Sequence, residues 1–222
     1  MTLLRTHNPS RPLSPDAARE LMQGFLEPDA DPLVVGACLA LLAQRTPEAE
    51  ELLSFAETLR AVSNPFPALG MPAVDTCGTG GDGASTANLS TLAALLLASM
   101  GVPVAKHGNR AATSSCGSAD LLEALGYPMG KAPDQLAEDL HRKRFAFLFA
   151  PAFHPLLGRL KEIRTRLGIP TVFNLLGPLL NPARPAYQVL GVAREGLLAP
   201  MAGALAGLGL ARAFVVHGKN AA

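Results

Sequence analysis

The sequence predicts an α/β fold, with a small N-terminal all-helical domain and a larger domain whose mainly parallel sheet is flanked by helices. Two observations predict it. Up to residue 62, apolar residues recur at helical spacing. After a linker at 63–72, SNPFPALGMP, short apolar runs alternate with helical patterns. Strand, loop and helix in repetition make a parallel sheet covered by helices. The boundaries are 1–62 for the helical domain and 73–222 for the α/β domain.

Three helix starts share one grammar: Ser14-Pro15, Asp31-Pro32 and Thr46-Pro47. Each sets an N-cap side chain before a proline at the first helical position, where the missing N–H costs nothing. The first helix carries Ala17, Leu21, Met22 and Phe25 on one face, the second Leu33, Ala37 and Leu41, and the third Leu52, Leu53, Ala56 and Leu59. Nothing here carries chemistry, so these faces serve packing or a dimer surface.

Beyond the linker, 73–77 is a short strand running into a glycine loop. A helix at 91–100 is ended by Gly101, and 103–106 is a strand leading into a second loop. Helices follow at 118–125, with Ser118 as N-cap and Gly126 as terminator, and at 133–144. The run FAFLFA at 145–150 is a buried strand, 154–167 is helical, and strands at 187–192 and 213–216 flank a helix at 197–208. Asn174 to Pro178 and Asn181-Pro182 read as turns. Both glycine loops fall at the carboxyl ends of strands, where ligands bind in open α/β sheets.

Composition narrows the function. The chain has 222 residues, 49% hydrophobic, with 19 Lys+Arg against 18 Asp+Glu and a net charge of +1. That balance gives no support to a nucleic-acid surface, and 5% aromatics without Trp leaves little for base stacking. Three widely spaced cysteines fit reduced thiols in a cytoplasmic protein better than disulfides or zinc. No apolar run is long enough to cross a bilayer, so no membrane partner is expected.

The chemistry therefore gathers in two loops. The first is Gly78-Thr79-Gly80-Gly81-Asp82-Gly83, followed by Asn88, Leu89, Ser90 and Thr91 at a helix start. The second is Lys106-His107-Gly108-Asn109-Arg110, followed by Thr113, Ser114, Ser115 and Ser118. Glycines let backbone N–H groups approach an anion, and hydroxyls, Lys106 and Arg110 add donors suited to phosphate oxygens. The first loop is neither a Rossmann GxGxxG nor a Walker loop. The helix start after it favours an anion. Two such loops suggest a ligand with two phosphate groups. Cys77 and Cys116 have no basic partner in sequence, so neither reads as a nucleophile.

The ordered motifs DTCGTGGDG, NLST, KHGNRAATSSCGSADLLEALG, FLFAPAFHP and FNLLGPLLNP together resemble the anthranilate phosphoribosyltransferase family. The resemblance runs from the N-terminal helices to the end of the chain. It implies transfer of the phosphoribosyl group of 5-phosphoribosyl 1-diphosphate (PRPP) to the amine of anthranilate, releasing diphosphate, in tryptophan biosynthesis. It implies a homodimer, Mg2+ bound with the diphosphate, and helices within 155–182 joining the helical domain. Carried over by position, Gly78, Gly81, Asp82, Thr86, Asn88, Leu89, Ser90 and Thr91 resemble PRPP contacts, with Ser90 like the hydroxyl ligand to Mg2+. Lys106, His107, Gly108, Asn109, Arg110, Ala111, Ala112, Thr113, Ser114 and Ser118 resemble the second half of that cradle. Gly78, Asn109 and Arg164 resemble anthranilate contacts, with Arg164 near the carboxylate, and His107 and His154 resemble residues lining its path. No side chain is expected to act as nucleophile or base.

Two departures stand out. Pro170 occupies a place where many relatives are basic. The family's adjacent Asp-Glu pair for Mg2+, expected after the strand at 213–216, is replaced by Lys219-Asn220-Ala221-Ala222. The expectation is a truncated product that keeps the cradle and turns over weakly or not at all. The alternatives are a pyrimidine nucleoside phosphorylase-like enzyme, against which the KHGNR loop argues, and a nucleic-acid-binding relative of the same fold.

Overall fold

The structure is a computed structural model that describes residues 6–80, 88–111 and 116–218. Helices α1 (Pro15–Leu26), α2 (Pro32–Leu42) and α3 (Ala49–Ala61) form the N-terminal unit. Two of the three expected caps are present: Ser14 Oγ accepts from Ala17 N at 3.3 Å, and Asp31 Oδ1 accepts from Leu33 N at 2.9 Å. The third is not. Helix α3 starts at Ala49, and Glu51 reaches back to the backbone N–H of the N-cap Glu48. The stripes also need correction. Ala18 rather than Ala17 is buried in α1, and Phe55 joins Leu52, Ala56 and Leu59 in α3. Helix α2 buries Val35, Cys38, Leu39 and Leu42, while Leu33 is 81% exposed. Its sequence, PLVVGACLALL, is apolar all round, so periodicity could not choose the inward face.

Glu51 is fully buried inside this unit. Both its oxygens receive the Arg45 guanidinium, and Leu13 N donates to it at 2.9 Å. Burial alone would raise its carboxyl, but the Arg45 fork and the N–H groups of Glu48 and Leu13 overcome this and leave its pKa lowered.

The α/β part contains β1 (Val74–Gly78), α4 (Leu89–Ser99), β2 (Val104–Gly108), α5 (Ser118–Ala124), α6 (Pro133–Lys143), β3 (Phe145–Phe149), α7 (Ala150–Phe153), α8 (Gly158–Leu167), α9 (Val172–Leu176), β4 (Tyr187–Gly191), α10 (Leu198–Gly207) and β5 (Arg212–Val216). All five strands are parallel, in the order β3-β2-β1-β4-β5. Three sequence expectations are corrected here. His154 lies outside the helix that follows it, because Pro155 disfavours helical geometry at the residue before it. Gly117, not Ser118, is the N-cap of α5. Residues read as turns at 174–178 belong to α9 and a 3-10 turn, Gly177–Leu179.

One sheet face carries α4 and α5, with Ala94, Ala119 and Leu122 on Val104, Phe145 and Phe147. The other carries α6 and α10. Helices α8 and α9 and the 3-10 turn pack with α1 to α3 in one core, so chain from the α/β part completes the helical unit. Helix α10 docks on α3 through small residues. A Cβ on Gly203 would lie 2.7 Å from Ala49 Cβ, and one on Gly207 2.5 Å from Leu53 Cδ2. Among the described residues, no helix is long and apolar enough to cross a membrane.

Candidate functional site

The chain builds outward from β1 in one direction through β2 and β3, and in the other through β4 and β5. The reversal between β1 and β4 opens a crevice beyond their carboxyl ends, the ligand-binding position in such sheets. Three strands around it, β1, β2 and β4, end on glycine, and Gly78 is paired with Gly191. The two exits beside the crevice are tied together. Thr79 N donates to Gly191 O at 3.0 Å, and Ala193 N donates to Thr79 Oγ1 at 3.2 Å.

On the α4 face, Lys106 is fully buried within β2, which runs two residues past the expected strand end at 106. Its Nζ donates to Thr76 O at 2.6 Å and approaches Ser90 Oγ at 3.4 Å. Thr76 Oγ1 in turn donates to Ser90 O at 2.7 Å. An ammonium is thus held beside the first turn of α4, where unsatisfied N–H groups and the helix dipole favour an anion. Burial lowers the Lys106 pKa and Asp75 opposes that shift.

The second loop is closed by a residue the sequence reading missed. Asp120 Oδ2 accepts from Ala111 N at 2.9 Å and Gly117 N at 2.8 Å. Arg110 is engaged by Asp120 at 3.2 Å and Glu123 at 2.6 Å, so much of its fork is already occupied. Asn109 O accepts from Ala119 N at 3.1 Å and Ser118 Oγ at 3.2 Å. Asn88 Nδ2 reaches across from the α4 start to Gly117 O at 3.2 Å and Cys116 Sγ at 3.4 Å. A Cβ at Gly117 would stand 2.3 Å from Ala111 N and 2.5 Å from Arg110 C, both backbone atoms that cannot rotate aside. Gly117→Ala is therefore expected to reshape the loop and weaken binding of a phosphorylated ligand at least ~10-fold (about 1.4 kcal/mol). Calorimetric titration checks this, with an unchanged melting temperature showing that the effect is local.

The other sheet face holds a buried polar network. Asp75 Oδ2 accepts from Asn181 Nδ2 at 2.9 Å, and Asn181 also donates to Ala105 O at 2.8 Å. Gln188 Nε2 donates to Pro178 O at 2.8 Å and lies 2.9 Å from Cys77 Sγ. His107 Nδ1 lies 3.3 Å from Gly177 O, and His154 Nε2 lies 2.9 Å from Leu180 O. The two rings meet edge-on with centroids 5.3 Å apart. Segment 177–181 is thereby fastened over β1, β2 and β4. Burial raises the Asp75 carboxyl and the Cys77 thiol, which keeps Cys77 from being a nucleophile.

Burial, helped by His154, pushes His107 down to about 3, and burial also lowers His154. The unfolded chain takes up the His107 proton near the ordinary value of 6.5, while the folded chain resists until about pH 3. The stability His107 contributes is therefore fully present above about pH 6.5 and is lost as pH falls toward 3, by at most about 1.4 kcal/mol per pH unit, and His154 acts in the same direction. Urea midpoints at pH 7.5 and 5 should show that fall, and His107→Asn should flatten it. Of the two ring nitrogens of His107, Nε2 is buried with no hydrogen-bond partner among the described residues.

Arg164 lies on α8. It is half-buried, with Nη2 3.5 Å from Asn174 Oδ1 and its guanidinium 5.5 Å from the centre of the Phe173 ring. Asn174 also accepts from Thr171 N at 3.0 Å, so α9 positions the arginine. Sequence reading took Asn174 and Asn181 for turn residues and did not weigh Asp75 or Gln188. The available signal was a polar residue inside an apolar strand or run, which demands a partner when buried. Gly81, Asp82, Thr86, Ala112, Thr113 and Ser114 lie outside the described residues.

Among the described residues, no group of three His, Cys, Asp or Glu could hold a metal. Ser90 offers one hydroxyl, beside the Lys106 ammonium. These described residues do not by themselves make a magnesium site.

Comparison with known proteins adds a lineage. Residues 70–221 match the family model described as glycosyl transferase family, a/b domain, and residues 2–63 match the glycosyl transferase family, helical bundle domain. The anthranilate phosphoribosyltransferase of Parasynechococcus marenigrum (strain WH8102) is 54% identical over 211 residues, 94% of this chain and 60% of that protein. Its namesake from Prochlorococcus marinus (strain NATL1A) is 48% identical over 95% of this chain and 61% of that protein. The chain thus spans about 60% of the length of these relatives. Among solved structures, the anthranilate phosphoribosyltransferase of Thermus thermophilus superposes with a TM-score of 0.91 at 43% identity, covering 100% of this chain and 67% of that one. The enzyme of Saccharomyces cerevisiae in complex with PRPP and Mg gives 0.79 at 30% identity, covering 91% of this chain and 61% of that one.

Proposed function

Because this chain belongs to the glycosyl transferase family, with that family's helical bundle and a/b domains, we propose that it serves transfer of the phosphoribosyl group of PRPP to anthranilate, a step of tryptophan biosynthesis. The observation that carries this reading is the crevice between β1 and β4. Three strand-end glycines, the α4 N-terminus and the Lys106 ammonium lie at that edge of the sheet, and together they are the kinds of donor a diphosphate needs.

The anthranilate amine attacks the anomeric carbon of PRPP. The new N–C bond forms as the C–O bond to diphosphate breaks; the diphosphate leaves with the bonding pair, and the proton lost by the amine passes to it or to water. Positive charge grows on the sugar and negative charge on the leaving group, so positioning and electrostatics do most of the work. Lys106 and the N–H groups of the α4 start favour the leaving diphosphate, alongside Gly78, Asn88, Leu89, Ser90 and Thr91. Gly81, Asp82 and Thr86 are assigned to the same group by resemblance. His107, Gly108, Asn109, Arg110, Ala111, Ala112, Thr113, Ser114 and Ser118 complete the cradle. Gly78, Asn109 and Arg164 receive anthranilate, and the unpartnered His107 Nε2 supports a ligand beside it. Mg2+ is assigned as a companion of the diphosphate, with Ser90 as its candidate protein contact; a yeast relative holds PRPP and Mg together.

The same reading assigns a cytoplasmic homodimer, with domains at 1–62 and 73–222 and the helices within 155–182 joined to the first. The phosphorylase and nucleic-acid alternatives gain no support from these matches. Titration with PRPP in the presence of Mg2+, followed by anthranilate fluorescence, tests the proposal. Micromolar PRPP binding and PRPP-dependent loss of anthranilate are expected. No PRPP binding at millimolar concentration, or phosphorolysis of thymidine instead, would overturn it.

A further inference from the structure

Two carboxylates of α5 meet the second loop, and their bonds give them different tasks. Asp120 Oδ2 accepts from Ala111 N at 2.9 Å and Gly117 N at 2.8 Å, one backbone donor from each flank of the loop. Letting go would strand both N–H groups, so Asp120 is fixed. Glu123 lies one turn further along α5, and its carboxylate bonds to Arg110 alone among the described residues. Oε2 accepts from Arg110 Nη1 at 2.6 Å and Oε1 from Nη2 at 3.1 Å, while Asp120 Oδ1 meets the same Nη1 at 3.2 Å. The guanidinium holds the Glu123 carboxyl below its usual value.

This pair can be exchanged. Arg110 is 48% exposed and Glu123 51%, and water screens a pair in such a place. A phosphate offers the guanidinium the same two-pronged geometry with more negative charge than a carboxylate. Lys106, in contrast, is buried and committed to Thr76 O.

Resting on the assignment of Arg110 to the PRPP cradle, we propose that Glu123 sets the affinity of the site by competing with a phosphate group for the Arg110 fork. Without ligand, Glu123 keeps the guanidinium on α5. A bound phosphate takes Nη1 and Nη2 from Glu123, while Asp120 holds the loop ends together. Each binding event breaks one ion pair as it makes another, so Arg110 adds less affinity than its charge suggests. Glu123 recaptures the fork as diphosphate departs, which speeds product release.

The test is calorimetric titration of the full 222-residue chain with inorganic diphosphate and, separately, with PRPP, each with Mg2+. Glu123→Gln should tighten both ~2–5-fold, the range that an exposed ion pair covers. Removing any nearby negative charge would also favour an anion, so the same change is made in an Arg110→Met background. There the gain should shrink below ~1.5-fold, because the competition has lost its object. Asp120→Asn should act in the opposite sense and weaken diphosphate at least ~5-fold. Unchanged or weaker binding by Glu123→Gln, a gain that persists without Arg110, or tighter binding by Asp120→Asn would each overturn the proposal. These effects on diphosphate with no binding of PRPP would overturn the PRPP reading and leave the competition standing. Binding of neither probe at millimolar concentration would overturn both.

Discussion

Glu51→Ala is expected to lower stability by about 3–5 kcal/mol, the scale for removing one partner of a buried ion pair. The carboxylate is fully buried and accepts from Arg45, Leu13 and Glu48 together. Its loss strands a guanidinium that is 14% exposed, together with two backbone N–H groups. For a chain of this size the melting temperature should drop on the order of 10 °C. The paired change Arg45→Met with Glu51→Leu should recover most of it, because it leaves no unmatched charge. Urea titration of the three proteins decides the matter; a loss below about 1 kcal/mol for the single variant would show that water replaces the carboxylate.

Lys106→Met should have the larger consequence for ligands. Its ammonium lies beside the α4 start, and methionine keeps the volume while removing the donor. PRPP affinity is expected to fall ~10–100-fold, about 1.4–2.8 kcal/mol. Stability should change as well, since Thr76 O loses its charged donor while Asp75 remains buried. Arg110→Met is the informative contrast. That side chain is 48% exposed and already engaged by Asp120 and Glu123, so its loss should weaken PRPP less than the loss of Lys106. Calorimetry with both variants reads the difference; the reverse order would move the phosphate contact to Arg110.

Local signals were legible wherever the partner lies within a few residues. Ser14 and Asp31 cap helices as their positions before proline predict. The end of β1 was visible within a residue because a glycine-rich run follows an apolar one, whereas the second strand, expected to end at 106, runs on to Gly108. Thr46-Pro47 misled because a stronger signal follows it, the Glu51 carboxylate that accepts from Glu48 N at 2.8 Å and so sets the helix start. Non-local burial was not legible. Lys106 closes the expected strand and His107 opens the expected loop, yet both are buried in β2, where Lys106 Nζ meets Thr76 O and His107 Nδ1 meets Gly177 O at separations of 30 and 70 residues. Asp120 was hidden for a related reason. The two bonds of its Oδ2 come from backbone N–H groups, which every residue but proline offers, so side-chain identity gives no hint of them.

The amide of Asn88 that bridges the α4 start to Gly117 carries a thermodynamic consequence. Binding usually bears the entropy of ordering each loop it touches. Here one side chain spans both halves of the crevice, so restraint imposed on one half already limits the other. A ligand fragment that occupies only one half should make the second half easier to fill, giving positive coupling with no movement of the sheet.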